Sequence, residues 1–441
     1  MITGVDGWTE GRLGDYFRIR HGYAFKGEFF ADSGQYIVLT PGNFQAQGGL
    51  QERGEREKFY RGKFPPDFLL RTGDMLIVMT DLTQNAPILG SPAIIQIDDR
   101  FLHNQRLGKV VDLDEAKMNK SFLYHLLNLP DVRAQIRGSA TGSTVRHTAP
   151  DRIYAVKVRV PPLPIQRRIA SILSAYGDTI ENNTRRIKTL EEMAQMIYRE
   201  WFVNFRFPGH EKVRMVESEL GPIPEGWDAS PLEFVCNRVT DGSHWSPQTV
   251  ETGRPMASSK DMHRWGLNLA TCRMISDEDF EELVRNDCRP LAGDILITKD
   301  GANYLKYCFS VEKDLDVVLL SSVAIIRPDP ARASSHYIAF HLSDDDVRTR
   351  LGGRVSGAAI PRIVLKDFRH FTILKPPIPI QRRFDHLIQP LVQLCWRLID
   401  KNANLRTTRD LLLPKLISGE ISIEGAEETT TELMEEVAQP A

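Results

Sequence analysis

The chain has 441 residues, 41% hydrophobic and 26% charged, with a formal net charge of -2 and a pI of about 6.6. That is a globular balance, long enough for two to four domains; it excludes a disordered, fibrous or uniformly basic chain, so any nucleic-acid contact must come from local basic patches or from partner subunits. Five scattered cysteines without a CxxC pair (Cys236, Cys272, Cys288, Cys308, Cys395), no visible secretory leader, and a longest apolar run of only 317–326 lead us to expect reduced thiols and a cytoplasmic, non-membrane setting.

Residues 1–160 read as one strand-rich domain, with short apolar runs at 36–40, 75–79, 93–97 and 154–160 bounded by turn residues. Two of its loops interleave cations with aromatics: "FRIRHGYAFKG" at 17–27 carries Arg18, Arg20 and Lys26, and "REKFYRGKF" at 56–64 carries Lys63. Such a mixture suits phosphate contact together with base-edge or shape readout. Further on, "RGSATGSTVRH" at 137–147 sets glycine and the hydroxyl of Ser143 beside Arg137 and Arg146, a pattern that lets backbone approach a phosphate while a guanidinium neutralises it.

Proline suits an opening helical turn, so Pro164 marks the start of a helix that the heptad spacing of Leu173, Ile180 and Ile187, with Leu190 on the companion row, carries to about residue 206. At about 1.5 Å per residue it would run roughly 60 Å. A linker over 207–225 follows.

The chain then starts again. "GW" at 7–8 recurs at 226–227, "TGDMLIV" at 72–78 as "AGDILIT" at 292–298, and "PPLPIQRRIA" at 161–170 as "PPIPIQRRFD" at 376–385. A second domain over 226–375 and a second helix over 376–421, with Ile388, Leu391, Leu398 and Leu405 on its seam, therefore mirror the first pair. The second domain's candidate contacts are His244, Lys260, Arg264, Arg354 and Arg362. Asn183 and Asn402 take equivalent seam positions, either fixing register as buried amides or marking a wet seam. Pro414 is expected to kink or restart the helix, and the acidic residues 422–441 to be disordered. Periodicity alone leaves parallel and antiparallel pairing of the helices open.

No P-loop, GxGxxG, HExxH or zinc-ligand spacing is present, nor the methyltransferase Asn/Asp-Pro-Pro-aromatic motif. Asp294 with Lys299, or Asp74 with Glu52 and Lys58, offers a carboxylate-lysine set of the kind a nuclease uses. Yet Asp74 and Asp294 sit in the same Gly-Asp turn, which backbone N–H groups donated to the carboxylate explain without chemistry.

The twin proline doorways, the paired Gly-Asp strands and "LLLPKLISGEI" at 411–421 resemble the DNA-specificity subunit of type I restriction-modification enzymes. That resemblance implies an α+β fold: two similar mixed α/β target-recognition domains, separated by two long antiparallel coiled-coil helices, with pseudo-two-fold symmetry. It implies a non-catalytic chain that binds a bipartite double-stranded DNA target, with two modification (methyltransferase) subunits and two restriction (motor-endonuclease) subunits as partners. No cofactor is expected on this chain; S-adenosylmethionine, ATP and Mg belong to those partners. Pro164, Ile165, Gln166 and Arg167, and Pro379, Ile380, Gln381 and Arg382, match the helix entrances where subunits dock. A nuclease with an atypical carboxylate-lysine site and a symmetric protein-interaction scaffold are the alternatives.

Overall fold

The apolar runs of the N-terminal half assemble into a four-stranded antiparallel sheet in the order 18–21, 107–111, 75–78, 92–94. Its strand Met75–Val78 is buried at every residue, as a strand covered on both faces must be. The computed structural model describes residues 7–353 and 362–438. Its two compact units comprise residues up to Glu181 together with those from Asn404 onward, and residues Asn182–Ala403.

In the first unit a smaller sheet pairs strand Tyr36–Leu39 in parallel with Phe101–His103 and antiparallel with Phe59–Tyr60. Helices Lys120–Leu127 and Pro130–Gly138 add Phe122, Leu123 and Ile136 to the core. The run expected as strand over 154–160 is strand only from Lys157, because Pro150 opens the helical turn Pro150–Tyr154 just before it. Strand Lys157–Val160 pairs with Thr9–Arg12 and delivers the chain to the first long helix, Leu163–Tyr198.

The second unit repeats the four-stranded sheet, the parallel pair and the covering helices of this plan. Its sheet order is 236–241, 323–328, 295–298, 308–310, its parallel pair is Met256–Ala257 with Val318–Leu319, and its covering helices are Ser335–Ser343 and Asp345–Gly352. Strand Asp228–Pro231 pairs with Thr372–Lys375, which leads to the second long helix, Ile378–Ser418. The Gly-Asp turns also correspond. Asp74 accepts from Arg71 N (2.9 Å) and Lys109 Nζ (2.6 Å); Asp294 accepts from Leu291 N (2.8 Å) and from Arg327 Nε and Nη2 (2.7 and 2.8 Å).

Each unit packs opposite ends of the two long helices together, an antiparallel match. In the first, Leu173, Tyr176 and Ile180 share a core with Leu405, Leu413 and Leu416; in the second, Ala194, Tyr198 and Trp201 share one with Phe384, Ile388 and Cys395. Leu398 is buried too, and Ile187, Leu190 and Leu391 are partly buried against the second core. Asn183 and Asn402 are both buried, and Asn183 Nδ2 donates to Asn402 Oδ1 at 2.9 Å. A direct amide pair thus replaces the wet seam that the sequence left open, the kind of contact that ties register to one value.

The doorway glutamines explain why one decapeptide is written twice. Gln166, 1% exposed, accepts from Asn119 N (2.8 Å) and donates to Lys117 O (2.8 Å) and Pro161 O (2.9 Å). Gln381, 0% exposed, accepts from Ser334 N (2.9 Å) and donates to Pro376 O (2.7 Å). Asn119 and Ser334 are the N-caps of the covering helices, so each glutamine ties a strand exit, a long helix and a covering helix at one point. In the second unit His336 adds a charged tie. Burial opposes its protonation, but Asp385 and Glu312 on either side outweigh it and raise its pKa to about 9.

Two sequence expectations are corrected. Of the kink or restart expected at Pro414, the restart does not occur: helix Ile378–Ser418 runs through it and stops at Gly419, at φ +75. The disordered exit expected over 422–441 is instead helix from Ile423 to Ala438. Glu424 and Glu427, three apart on one helical face, meet the Arg168 guanidinium at 3.0 and 2.7 Å, and Ala426 enters the first core.

Candidate nucleic-acid interface

In the first unit the loops at one end of the sheets are stitched together by backbone bonds. Tyr23 N donates to His103 O (2.8 Å), Met79 N to Arg106 O (3.0 Å) and Thr148 N to Met79 O (3.0 Å), drawing together the loops after residues 21, 78, 103 and 140. The second unit repeats each bond with Ser243 N to Leu319 O (2.7 Å), Lys299 N to Ser322 O (3.0 Å) and Ile363 N to Lys299 O (3.0 Å). Both loop clusters lie at the carboxyl ends of the parallel strand pair, where open sheets with parallel strands leave a crevice for ligands.

The turn after the first parallel strand is likewise made twice. Asn43 Oδ1 accepts from Thr40 N (2.9 Å) and Thr40 Oγ1 (2.8 Å); Asp261 Oδ2 accepts from Ser258 N (2.8 Å) and Ser258 Oγ (2.9 Å). The second turn exposes Lys260 one residue before its aspartate, whereas the first has Gly42 there. Arg53 fills the gap: its guanidinium donates to Thr40 Oγ1 at 3.2 Å and occupies the space that a side chain at 42 would need. Each unit therefore sets one cation over this turn from a different place in the sequence.

The two basic loops singled out in the first domain do come together. Phe25 meets Tyr60 (4.8 Å) and Phe64 (6.5 Å), and Tyr23 meets Phe68 (5.3 Å), forming one half-buried aromatic cluster. Lys26 and Lys63 are exposed beside it. Arg20 is exposed but anchored, stacking on Phe68 (5.6 Å) and donating to Asp67 O (2.6 Å), and Arg18 bonds Phe17 O (2.9 Å) and lies over Tyr154 (5.5 Å). Those two arginines shape the patch more than they extend from it.

In the 137–147 segment the end of helix Pro130–Gly138 leads into a hairpin closed by Thr141 and His147. Gly142 has φ +95 and its Cβ position lies 2.0 Å from Val145 O, so only glycine fits this turn. Arg146 is turned inward onto Gly142 O (3.3 Å) and Arg137 O (3.1 Å); Ser143 stands exposed at the tip and Arg137 is half-buried. Arg146 thus also has a structural part, bonding across the hairpin.

In the second unit His244 and Lys260 are exposed on the loop cluster, and the backbone of Arg362 pairs with that of Asp300 in an isolated antiparallel β-bridge. Arg264 is engaged elsewhere, against Glu191 and Gln195 of the first long helix. Arg354 lies outside the described residues. The carboxylate-lysine pairing proposed from sequence is split: Asp294 is held by Arg327, whereas Lys299, 1% exposed, is 2.7 Å from Asp241. Asp74 likewise goes to Lys109.

Residues 5–192 match the family described as the type I restriction modification DNA specificity domain. The chain is 25% identical over 357 residues to the type I restriction enzyme MjaIX specificity subunit of Methanocaldococcus jannaschii, a match covering 78% of this chain and 77% of that one. It is 23% identical over 440 residues to the type I restriction enzyme EcoBI specificity subunit of Escherichia coli, covering 96% and 88%. The crystal structure of the type I restriction-modification system S subunit from M. genitalium shares its fold, with a TM-score of 0.56 at 16% identity over 94% of this chain and 97% of that one. Residues 5–192 thus match the DNA specificity domain of type I restriction-modification systems, and most of the chain is similar to type I specificity subunits.

In this chain the helix entrances separate into two kinds of residue. Pro164, Arg167, Pro379 and Arg382 are exposed, and Ile165 and Ile380 are partly buried against the cores. Gln166 and Gln381 are sealed inside, so they cannot touch a docked subunit, and their part in the entrance is internal. Sequence reading missed Arg133 and Arg348, which donate to Pro87 O (2.7 Å) and Lys306 O (2.6 Å) and pin the equivalent loops after the central strands. The repeated tripeptide Asp-Val-Arg at 131–133 and 346–348 was the signal for them. Among the described residues no helix is long and apolar enough to cross a membrane.

Proposed function

We propose that this chain recognises a bipartite duplex target, one half-site per recognition domain, and positions modification and restriction subunits that carry the methyl-transfer and cleavage chemistry with their own S-adenosylmethionine, ATP and Mg. The observation that carries the reading is the duplicated loop cluster: the same backbone bonds in both units, with different side chains on top. A repeated scaffold with changed decoration is what two different readouts require, since phosphate contacts position a protein while base contacts distinguish sequences.

Subunit docking is supported by apolar side chains left in water on the long helices. Met193 and Met196 on the first and Leu387 on the second are 45%, 62% and 45% exposed within the second unit. In the first unit Leu126, Leu129, Val158, Pro414 and Ile417 floor an open groove with a charged rim. With a net charge of -2, the phosphate contacts must come from local cations such as Lys26, Lys63 and Lys260 or from partner subunits.

The test is affinity at fixed salt in the complete methyltransferase assembly. Target duplex is expected to bind at least about 1,000-fold tighter than a scrambled duplex, within the range of specific protein–DNA complexes. Equal affinities would remove the recognition role.

A further inference from the structure

The loop opening each recognition cluster is built twice on one backbone plan and decorated differently. Gly22 passes so close to the neighbouring strand exit that a Cβ would meet Asn104 O at 2.1 Å, and a Cβ at Gly242 would meet Leu319 O at 2.2 Å. The next residue is locked at both backbone atoms. Tyr23 N donates to His103 O (2.8 Å) and its O accepts from Gln105 N (3.1 Å); Ser243 N donates to Leu319 O (2.7 Å) and its O accepts from Ser321 N (2.9 Å). Beyond these fixed points the tripeptides diverge, Ala24-Phe25-Lys26 against His244-Trp245-Ser246.

All three residues of the second tripeptide are exposed. Trp245 is 47% exposed, and its backbone is held by Ser243 Oγ, which accepts from Trp245 N (3.0 Å) and donates to Trp245 O (2.7 Å). His244 Nε2 lies 3.2 Å from the Asp241 carboxylate, itself paired with the buried Lys299. A tryptophan on a loop that cannot fold back is an indole offered to a partner. Lys260 stands on the adjoining turn, reached through the Ser259 N to Ser322 Oγ bond (2.9 Å), while Asp261 is engaged in holding that turn. A cation on the turn adjoining a loop with an open ring favours an anionic polymer with flat bases over a protein surface.

Resting on the DNA-recognition reading above, we infer that residues 244–246 are specificity-determining for one half-site and residues 24–26 for the other. Trp245 packs on a base face or a thymine methyl, and His244 hydrogen-bonds a base edge; in the first unit Lys26 supplies the polar contact.

The experiment uses the chain assembled with its modification subunit and a set of duplexes carrying every single-base change across the target. For the His244→Ala/Trp245→Ala variant, discrimination is expected to fall about 10–100-fold at one or two adjacent positions of one half-site, the range of a lost direct base contact. Preferences in the other half-site, affinity for scrambled duplex and thermal melting should stay at parental values. Trp245→Phe, which keeps a ring, should retain most of the discrimination. Unchanged discrimination at every position overturns the inference, as does a uniform loss across both half-sites, or failure of the variant to assemble with the modification subunit, which would make the indole a protein contact. If the unsubstituted assembly itself does not distinguish target from scrambled duplex, it is the recognition reading that fails.

Discussion

Replacing Gln166 by alanine is expected to loosen the first recognition domain by about 3 kcal/mol, because it leaves one N–H and two carbonyls without partners at a point closed to water. The amide is irreplaceable there by charge. Glutamate could accept from Asn119 N but would set a carboxylate oxygen against Lys117 O and Pro161 O, so Gln166→Glu should be no better than alanine. Hydrogen exchange in the full chain reads the effect locally: amides of helix Lys120–Leu127 should exchange roughly 100-fold faster in Gln166→Ala, and those of helix Ser335–Ser343 should not change. Gln381→Ala should show the converse, with a smaller shift since two bonds rather than three are lost. A change below about threefold in both variants would mean that the repeated doorway does not brace the covering helices.

The second large effect is expected at Arg327. Its guanidinium grips Asp294 with two bonds, and that carboxylate is 0% exposed. Removing the arginine alone strands a buried charge, at a cost of about 3–5 kcal/mol for Arg327→Met. Removing both, in Asp294→Ala/Arg327→Met, should restore a good part of that, because an apolar pair has nothing left unsolvated. Urea unfolding of the four chains completes the cycle. The same set separates structure from chemistry. A carboxylate serving a nuclease would lose metal-dependent cleavage in Asp294→Ala without this coupling in stability, whereas a turn-holding carboxylate shows the coupling and no cleavage to lose.

How much of this was legible in sequence depended on whether a feature repeats. The Gly-Asp turns, the proline doorways and the heptads each occur twice, and each became an element with its twin. Repetition works because two copies of one fold must solve the same packing problem, such as the N-cap that Gln166 and Gln381 hold. Features solved differently in the two copies were hidden. Arg53 and Lys260 place a cation over the same turn from unrelated sequence positions, so no alignment of the halves would pair them. The intramolecular partners of Arg146 and Arg264 could not be read from their neighbours in sequence; one bonds across a hairpin and the other lies against a helix face. The acidic tail read as disordered because its composition is one-sided, but the compensating charge, Arg168, lies some 260 residues earlier in the chain. Local composition carries no trace of that partner.

The central claim is that the two recognition domains read DNA independently. Exchanging residues 1–160 for the corresponding domain of a specificity subunit with another target, co-expressing the hybrid with the modification subunit, and mapping methylated adenines across the genome tests it most directly. One half of the methylated motif should change to that of the donor while the other half stays as it was. A hybrid whose motif changed in both halves, or in neither, would contradict it.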